Sequence, residues 1–181
     1  MNREEALGLI EKNVSTRNLD KHMLAAESCM RRLARRFDED LELWGLAGLL
    51  HDLDYDSTKD DFSMHGIRSA QMLSGSGVSE SVINAIKAHA GKKELDSMME
   101  KALYAVDPLT GLIVAAALMH PTKKIENVDT QFVLNRFREK RFAAGVHRDQ
   151  IMSCESIDME LEEFIGICLD AMKSIGPELG L

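Results

Sequence analysis

The 181-residue chain predicts an all-α fold, a compact helical bundle. Three observations carry that expectation. Apolar residues recur at three- and four-residue spacing along most of the chain, and no stretch alternates with period two for long enough to make a strand. Pro occurs only 3 times and aromatic residues are few (Trp 1, Tyr 2, Phe 6), while Ala, Leu, Met, Glu and Lys, all good helix formers, are abundant. The run Trp44–Leu50 is apolar on every face, which marks a helix buried on all sides.

In chain order, residues 2–12 form a short helix. Asn18 is placed to cap the next, which reaches Phe37 with Leu19, Met23, Ala26, Met30, Leu33 and Phe37 in one stripe. Its outer face carries Arg31, Arg32, Arg35 and Arg36 and reads as solvated. A short acidic turn leads to a helix over 41–53, and the polar burst of Asp54, Asp56, Ser57 and Thr58 ends it in a loop. A helix over 63–73 stops at the Gly-Ser-Gly of 75–77, and another over 80–90 stops at Gly91. The longest helix covers 95–119, with a bend or a helix start near Asp107 imposed by Pro108 and a stop at Pro121. Residues 131–148 are basic, with Gly145 as a helix stop, and the last helix, 156–174, carries Ile157, Leu161, Phe164, Ile165, Cys168 and Met172.

Composition narrows the function classes. The length suits one compact core rather than two domains, and 45% apolar with 29% charged residues is ordinary for a soluble globular chain. A net charge of −8 argues against generic nucleic-acid binding, so no nucleic-acid partner is expected. Cys29, Cys154 and Cys168 are odd in number and set among core-type neighbours, which suits reduced, buried thiols. No apolar run reaches the roughly 18 residues of a membrane span, and the first residues lack a signal-peptide core. Cytoplasm without membrane association is the expectation.

The buried third helix delivers His51 and Asp52 side by side, and burying an imidazole and a carboxylate costs free energy unless something pairs with them. Other helices point comparable groups inward. His22 lies beside the Leu19/Met23/Ala26 stripe, His65 begins its helix, His89 shares a face with Val82 and Ile86, and Asp107 shares one with Leu103, Thr110 and Val114. A lone inward histidine is usually a satisfied core residue. Several of them with two carboxylates on separate helices suggest a shared cation, which relieves the burial cost of all at once.

The ordered set His22, His51–Asp52, Asp107 resembles the H…HD…D pattern of the HD-domain superfamily of metal-dependent phosphohydrolases. With His65 and His89 between the doublet and the last aspartate, it is similar to the six-ligand subset. The likeness covers about 18–119, and KRFAAGVHRD further on resembles the tail of small bacterial members. It implies one HD domain over 1–181, of the family's compact helical bundle type, with a metal-binding core at about 18–119 and a C-terminal helical extension at about 130–175. It implies that His22, His51, Asp52 and Asp107 hold one metal, and that Asp52 bridges to a second held by His65 and His89. Divalent ions are therefore the expected cofactor, two in number, with Fe or Mn favoured and Zn, Co, Ni or Mg as options. The implied reaction is hydrolysis of a phosphomonoester or phosphoanhydride of a nucleotide or small phosphorylated metabolite, through a metal-bridging hydroxide.

Arg68, three residues after His65, is a candidate phosphate clamp alongside the catalytic pair His51 and Asp52. Lys92 and Lys93 follow the His89 helix, and Arg136, Arg138, Lys140, Arg141 and Arg148 form a basic cluster suited to a solvated face or to the distal part of a nucleotide. Thr110 and Gly111 are read as packing residues, and His120 and His147 as non-ligands. Asp54 and Tyr55 depart from the HDIGK form of many relatives, and no GYP motif of the cyclic di-GMP branch is present. The same ligand pattern resembles HD-fold di-iron oxygenases, and a non-catalytic nucleotide-sensing module stays open as a further alternative.

Overall fold

Helices and turns make up all of the structure, a computed structural model that describes residues 1–181. Helix α1 (Arg3–Asn13) opens on a capping box, in which Asn2 and Glu5 satisfy each other's backbone N–H groups. Helix α2 (Leu19–Phe37) buries Met23, Ala26, Met30 and Leu33. Asn18 sits at its N-cap in the left-handed conformation (φ 65) and its side chain caps nothing, contrary to the expected capping role. Helix α3 (Leu41–Leu50) is capped by Asp40 and is buried from Trp44 to Leu50. It packs along α2 at close range: a Cβ on Gly48 would lie 2.6 Å from the Ala26 carbonyl oxygen, so only glycine lets the two backbones approach this far.

The segment after α3 differs from the expected loop. Helix α4 (Tyr55–Thr58) forms a short turn, and a 3₁₀ turn over Phe62–Met64 precedes α5 (Ile67–Leu73). The helix expected from residue 63 is interrupted because Gly66 adopts φ +76, and His65 lies in extended backbone just before the break. Helices α6 (Glu80–His89) and α7 (Met98–Met119) follow, each capped by a serine, Ser79 and Ser97. Pro108 lies inside α7 and cannot donate to the Tyr104 carbonyl. The Gln150 side-chain amide supplies that hydrogen bond at 2.9 Å. By length and composition α7 could cross a membrane, which corrects the expectation that no run does; Asp107 breaks the run, but one acid is outweighed over a whole window, 56% of which is buried inside the protein.

Helices α8 (Thr130–Arg138), α9 (Arg148–Met152), α10 (Leu161–Ser174) and α11 (Gly176–Leu179) complete the bundle. The basic stretch stops being helical at Arg138 rather than at Gly145. Beyond it, the Arg148 guanidinium donates to the carbonyls of Phe137, Glu139 and Phe142 and so holds the turn together. Arg136 pairs with Glu139 and lies over the Phe132 and Phe142 rings. Both therefore serve the fold, which removes them from the basic cluster read as a solvated face or a contact for the distal part of a nucleotide. Arg31 also leaves the solvated face, since it pairs with the buried Glu27 and with Glu42. The three cysteines are buried and free. One core of 45 buried residues runs from Ala6 to Leu179, and the ends of α3 and α6 with the middle of α7 surround its polar region.

Candidate metal centre

The polar region is built from side chains whose local backbone fixes their direction. His51 and Asp52 turn inward at the end of α3, His22 rises from the first turn of α2, His89 ends α6, and Asp107 precedes the α7 proline. His65 is set by the Gly66 break. His51, Asp52 and His89 are buried, while His22, His65 and Asp107 are half-buried.

All four histidines have Nδ1 engaged on the outer side. His51 Nδ1 donates to the Gly48 carbonyl (2.8 Å) and His89 Nδ1 to the Ile86 carbonyl (2.5 Å). His65 Nδ1 donates to the Asp54 carboxylate (2.8 Å). His22 Nδ1 meets the Thr110 hydroxyl (2.9 Å), whose own proton goes to the Asp107 carbonyl (2.9 Å). With Nδ1 carrying the proton in each ring, Nε2 presents a lone pair to the centre.

The Nε2 atoms then converge on the carboxylates. His22 and His51 Nε2 lie 3.1 Å apart, and both are 3.6 Å from Asp52 Oδ2. Asp107 Oδ1 stands 3.1 Å from His22 Nε2 and 3.8 Å from His51 Nε2. The other oxygen, Asp52 Oδ1, faces His65 Nε2 at 3.4 Å and His89 Nε2 at 3.6 Å. Asp52 thus divides the cluster, one oxygen to each pair of histidines. Two groups of three form within it, His22 with His51 and Asp107, and His51 with Asp52 and His89, and inside each group the ligand atoms lie within 4.8 Å of one another.

Two features fit a cation. Facing imidazole lone pairs at 3.1 Å repel unless a proton or metal lies between them. His89 Nε2 is buried with no hydrogen-bond partner, a costly arrangement for a polar atom unless it ligates. The imidazole and carboxylate donor set suits a first-row divalent metal, so the residues fit one. Without it, burial pushes His51 towards the neutral form, but the Asp52 and Asp107 carboxylates outweigh burial and hold its pKa up at about 9. Burial would raise Asp52 and Asp107, yet the surrounding imidazoles hold both below the usual carboxylate range.

Asp54 is the residue that sequence reasoning undervalued. It is buried, accepts from His65 Nδ1, Gly66 N (2.8 Å) and Ser69 N (2.9 Å), and these bonds offset its burial to hold its pKa down. It orients His65 as outer carboxylates commonly orient metal-binding imidazoles. The signal was its distance from the doublet, close enough for one turn to return it to the ligand at 65. Arg68, by contrast, is exposed, donates to the Ser57 carbonyl (3.3 Å) and does not reach the cluster, because Gly66 breaks the helical register that linked it to His65. Lys93 is held by Asp96 and Glu100 at the start of α7.

A cavity of about 440 Å³ opens over the cluster, walled by His22, Asp52, His65 and Asp107 and, at its exposed edge, by Arg17 and Phe62. Comparison with known proteins bears on what this cavity serves. A family model described as HD domain matches residues 19–117. Ribonuclease Y of Sulfurovum sp. (strain NBC37-1) is 31% identical over 140 residues, which cover 70% of this chain and 28% of that protein. The chain thus spans little more than a quarter of this relative's length. None of the solved structures matches the chain.

Proposed function

The chain belongs to the HD-domain family, and from that membership we propose that it hydrolyses a phosphomonoester or phosphoanhydride of a nucleotide or small phosphorylated metabolite with divalent metal ions. The family is one of metal-dependent phosphohydrolases, and this chain carries His and Asp groups able to hold a metal. One observation supports the reading above all: four imidazole Nε2 atoms and two aspartates face one another from separate segments, with His89 Nε2 otherwise unpartnered.

In this reading His22, His51, Asp52 and Asp107 would hold one ion, and His65 and His89, with Asp52 shared, would hold a second. Bound there, divalent ions supply Lewis acidity towards phosphoryl oxygens and lower the pKa of water, with Fe or Mn favoured. The chain contributes the rest. Asp52 fixes the spacing of the two sites, and the Gly48, Ile86, Asp54 and Thr110 acceptors keep each Nε2 deprotonated and aimed inward. With two dications bound against the two aspartates, the cavity floor would be net positive and would favour an anionic phosphate. Arg68 has no part in this scheme.

The likeness to a ribonuclease Y brings phosphodiesters into view as a second substrate class. The net charge of −8 weighs against a long polyanion and favours a small substrate. Protein loaded with Mn²⁺ or Fe²⁺ should release phosphate from at least one member of a panel of nucleotides and sugar phosphates, and bis(p-nitrophenyl) phosphate tests the diester class. His51→Ala and Asp52→Ala should lose both metal and phosphate release. Full metal content and activity in those variants would refute the assignment.

A further inference from the structure

Two side chains at the cavity edge are explained neither by the ligand set nor by its supports. Arg17 lies in the loop between α1 and α2, exposed and beside the ligands. Arg3, Arg31, Arg36 and Arg136 are each paired with a glutamate, whereas Arg17, like Arg32, Arg35, Arg68, Arg138, Arg141 and Arg148, has no ion-pair partner; among these unpaired arginines it is the one that lines the cavity. Its position is nonetheless fixed. The Asp56 carboxylate accepts from the backbone N–H groups and hydroxyls of both Ser15 and Thr16, which ties the loop to α4 one residue before Arg17. A guanidinium carried on an anchored loop at the mouth of this cavity, and left unpaired, is available to an anion.

Phe62 is the second. The residue is 50% exposed, which is ordinary for a single apolar side chain; what sets it apart is its place on the wall of the cavity, beside the ligands. It stands on the 3₁₀ turn whose Ser63 N–H donates to the Asp61 carboxylate, with its ring at an edge-to-face angle to Tyr55 (centroids 5.9 Å apart) and to His65 (5.3 Å). Tyr55 and His65 thus back the Phe62 ring while part of its surface stays open.

We propose that Arg17 and Phe62 form the recognition edge of the cavity. Arg17 takes the non-reacting oxygens of the phosphoryl group, and Phe62, backed by Tyr55, stacks a flat aromatic leaving group. The preferred substrates are then phosphate esters that carry an aromatic ring, with nucleoside phosphates as one example. This inference rests on the phosphohydrolase reading of the site, so its test is made independent of turnover.

The metal-loaded 181-residue chain is titrated calorimetrically with phenylphosphonate and with methylphosphonate, neither of which can be hydrolysed at phosphorus. The unsubstituted protein should bind phenylphosphonate severalfold more tightly, the range expected for one aromatic contact. Phe62→Leu, which keeps an apolar side chain and lacks the ring, should abolish that preference and leave methylphosphonate binding unchanged. Arg17→Ala should weaken both ligands at least about tenfold, as loss of a charge-assisted contact does, with Arg17→Lys recovering part of it and metal content unchanged throughout. Unaltered binding in Arg17→Ala, loss of metal in it, or a retained aromatic preference in Phe62→Leu would overturn the proposal. Absence of turnover on every phosphate ester would instead count against the hydrolase reading, and the titrations would still decide the role of the edge.

Discussion

Replacing Asp54 by Asn preserves volume and removes one charge from a fully buried position, 1% exposed. Asp54 Oδ2 accepts from the Gly66 and Ser69 N–H groups, so the amide oxygen of Asn must take that place and its NH₂ must face His65 Nδ1. An NH₂ cannot accept the Nδ1 proton. His65 is then forced into the other tautomer, with a proton on Nε2 directed at Asp52 Oδ1, 3.4 Å away, where a cation would otherwise bind. Loss of such an orienting carboxylate lowers metal affinity by about 10- to 100-fold, which corresponds to roughly 1.4–2.8 kcal/mol. Weakening a buried charged hydrogen-bond set adds about 1–3 kcal/mol of lost stability. Equilibrium dialysis against graded Mn²⁺ followed by elemental analysis should show the weaker of two sites lost first, with the site of His22, His51 and Asp107 retained. Unchanged affinity and stoichiometry in Asp54→Asn would refute the tautomer argument.

His51 has a folded-state pKa raised from 6.5 to about 9, so its stabilising contribution is complete below pH 6.5 and disappears as pH rises through about 9. Thermal melts of chelator-treated protein should fall across that window, while metal affinity measured by competition should rise over it because the cation displaces the proton. Gly48→Ala would place a Cβ 2.7 Å from the Ala26 carbonyl carbon and 2.8 Å from the Glu27 amide nitrogen, backbone atoms that cannot swing away. The cost should reach or exceed the usual overpacking range of about 1–3 kcal/mol in denaturant unfolding. Gln150→Ala leaves the Tyr104 carbonyl beside Pro108 without its donor. Urea midpoints should drop by an amount equivalent to about 1–3 kcal/mol, and an undiminished midpoint would show that water replaces the amide.

The helical class and the inward positions of His22, His51, Asp52, His89 and Asp107 were legible because burial and the 3.6-residue period together leave few places for a polar side chain to hide. The structure brings these residues together with His65. What escaped depended on single backbone dihedrals and on loops. Gly66 at φ +76 ends the register on which the pairing of Arg68 with His65 relied. Asp54 looked like a departure from a familiar doublet, and its partners, the N–H groups of Gly66 and Ser69, exist only once the chain has turned back on itself. Arg148 read as surface charge, yet it gathers the carbonyls of a turn that no periodicity announces. Arg17 belongs to a loop held by Asp56, about 40 residues away in sequence, a contact between irregular segments that residue spacing does not encode.

Anomalous diffraction from crystals of the protein grown with Mn²⁺ tests the central claim most directly. Density peaks flanking the Asp52 carboxylate are predicted, one among His22, His51 and Asp107 and the other against His65 and His89. No anomalous density within bonding distance of any of these six side chains would contradict it.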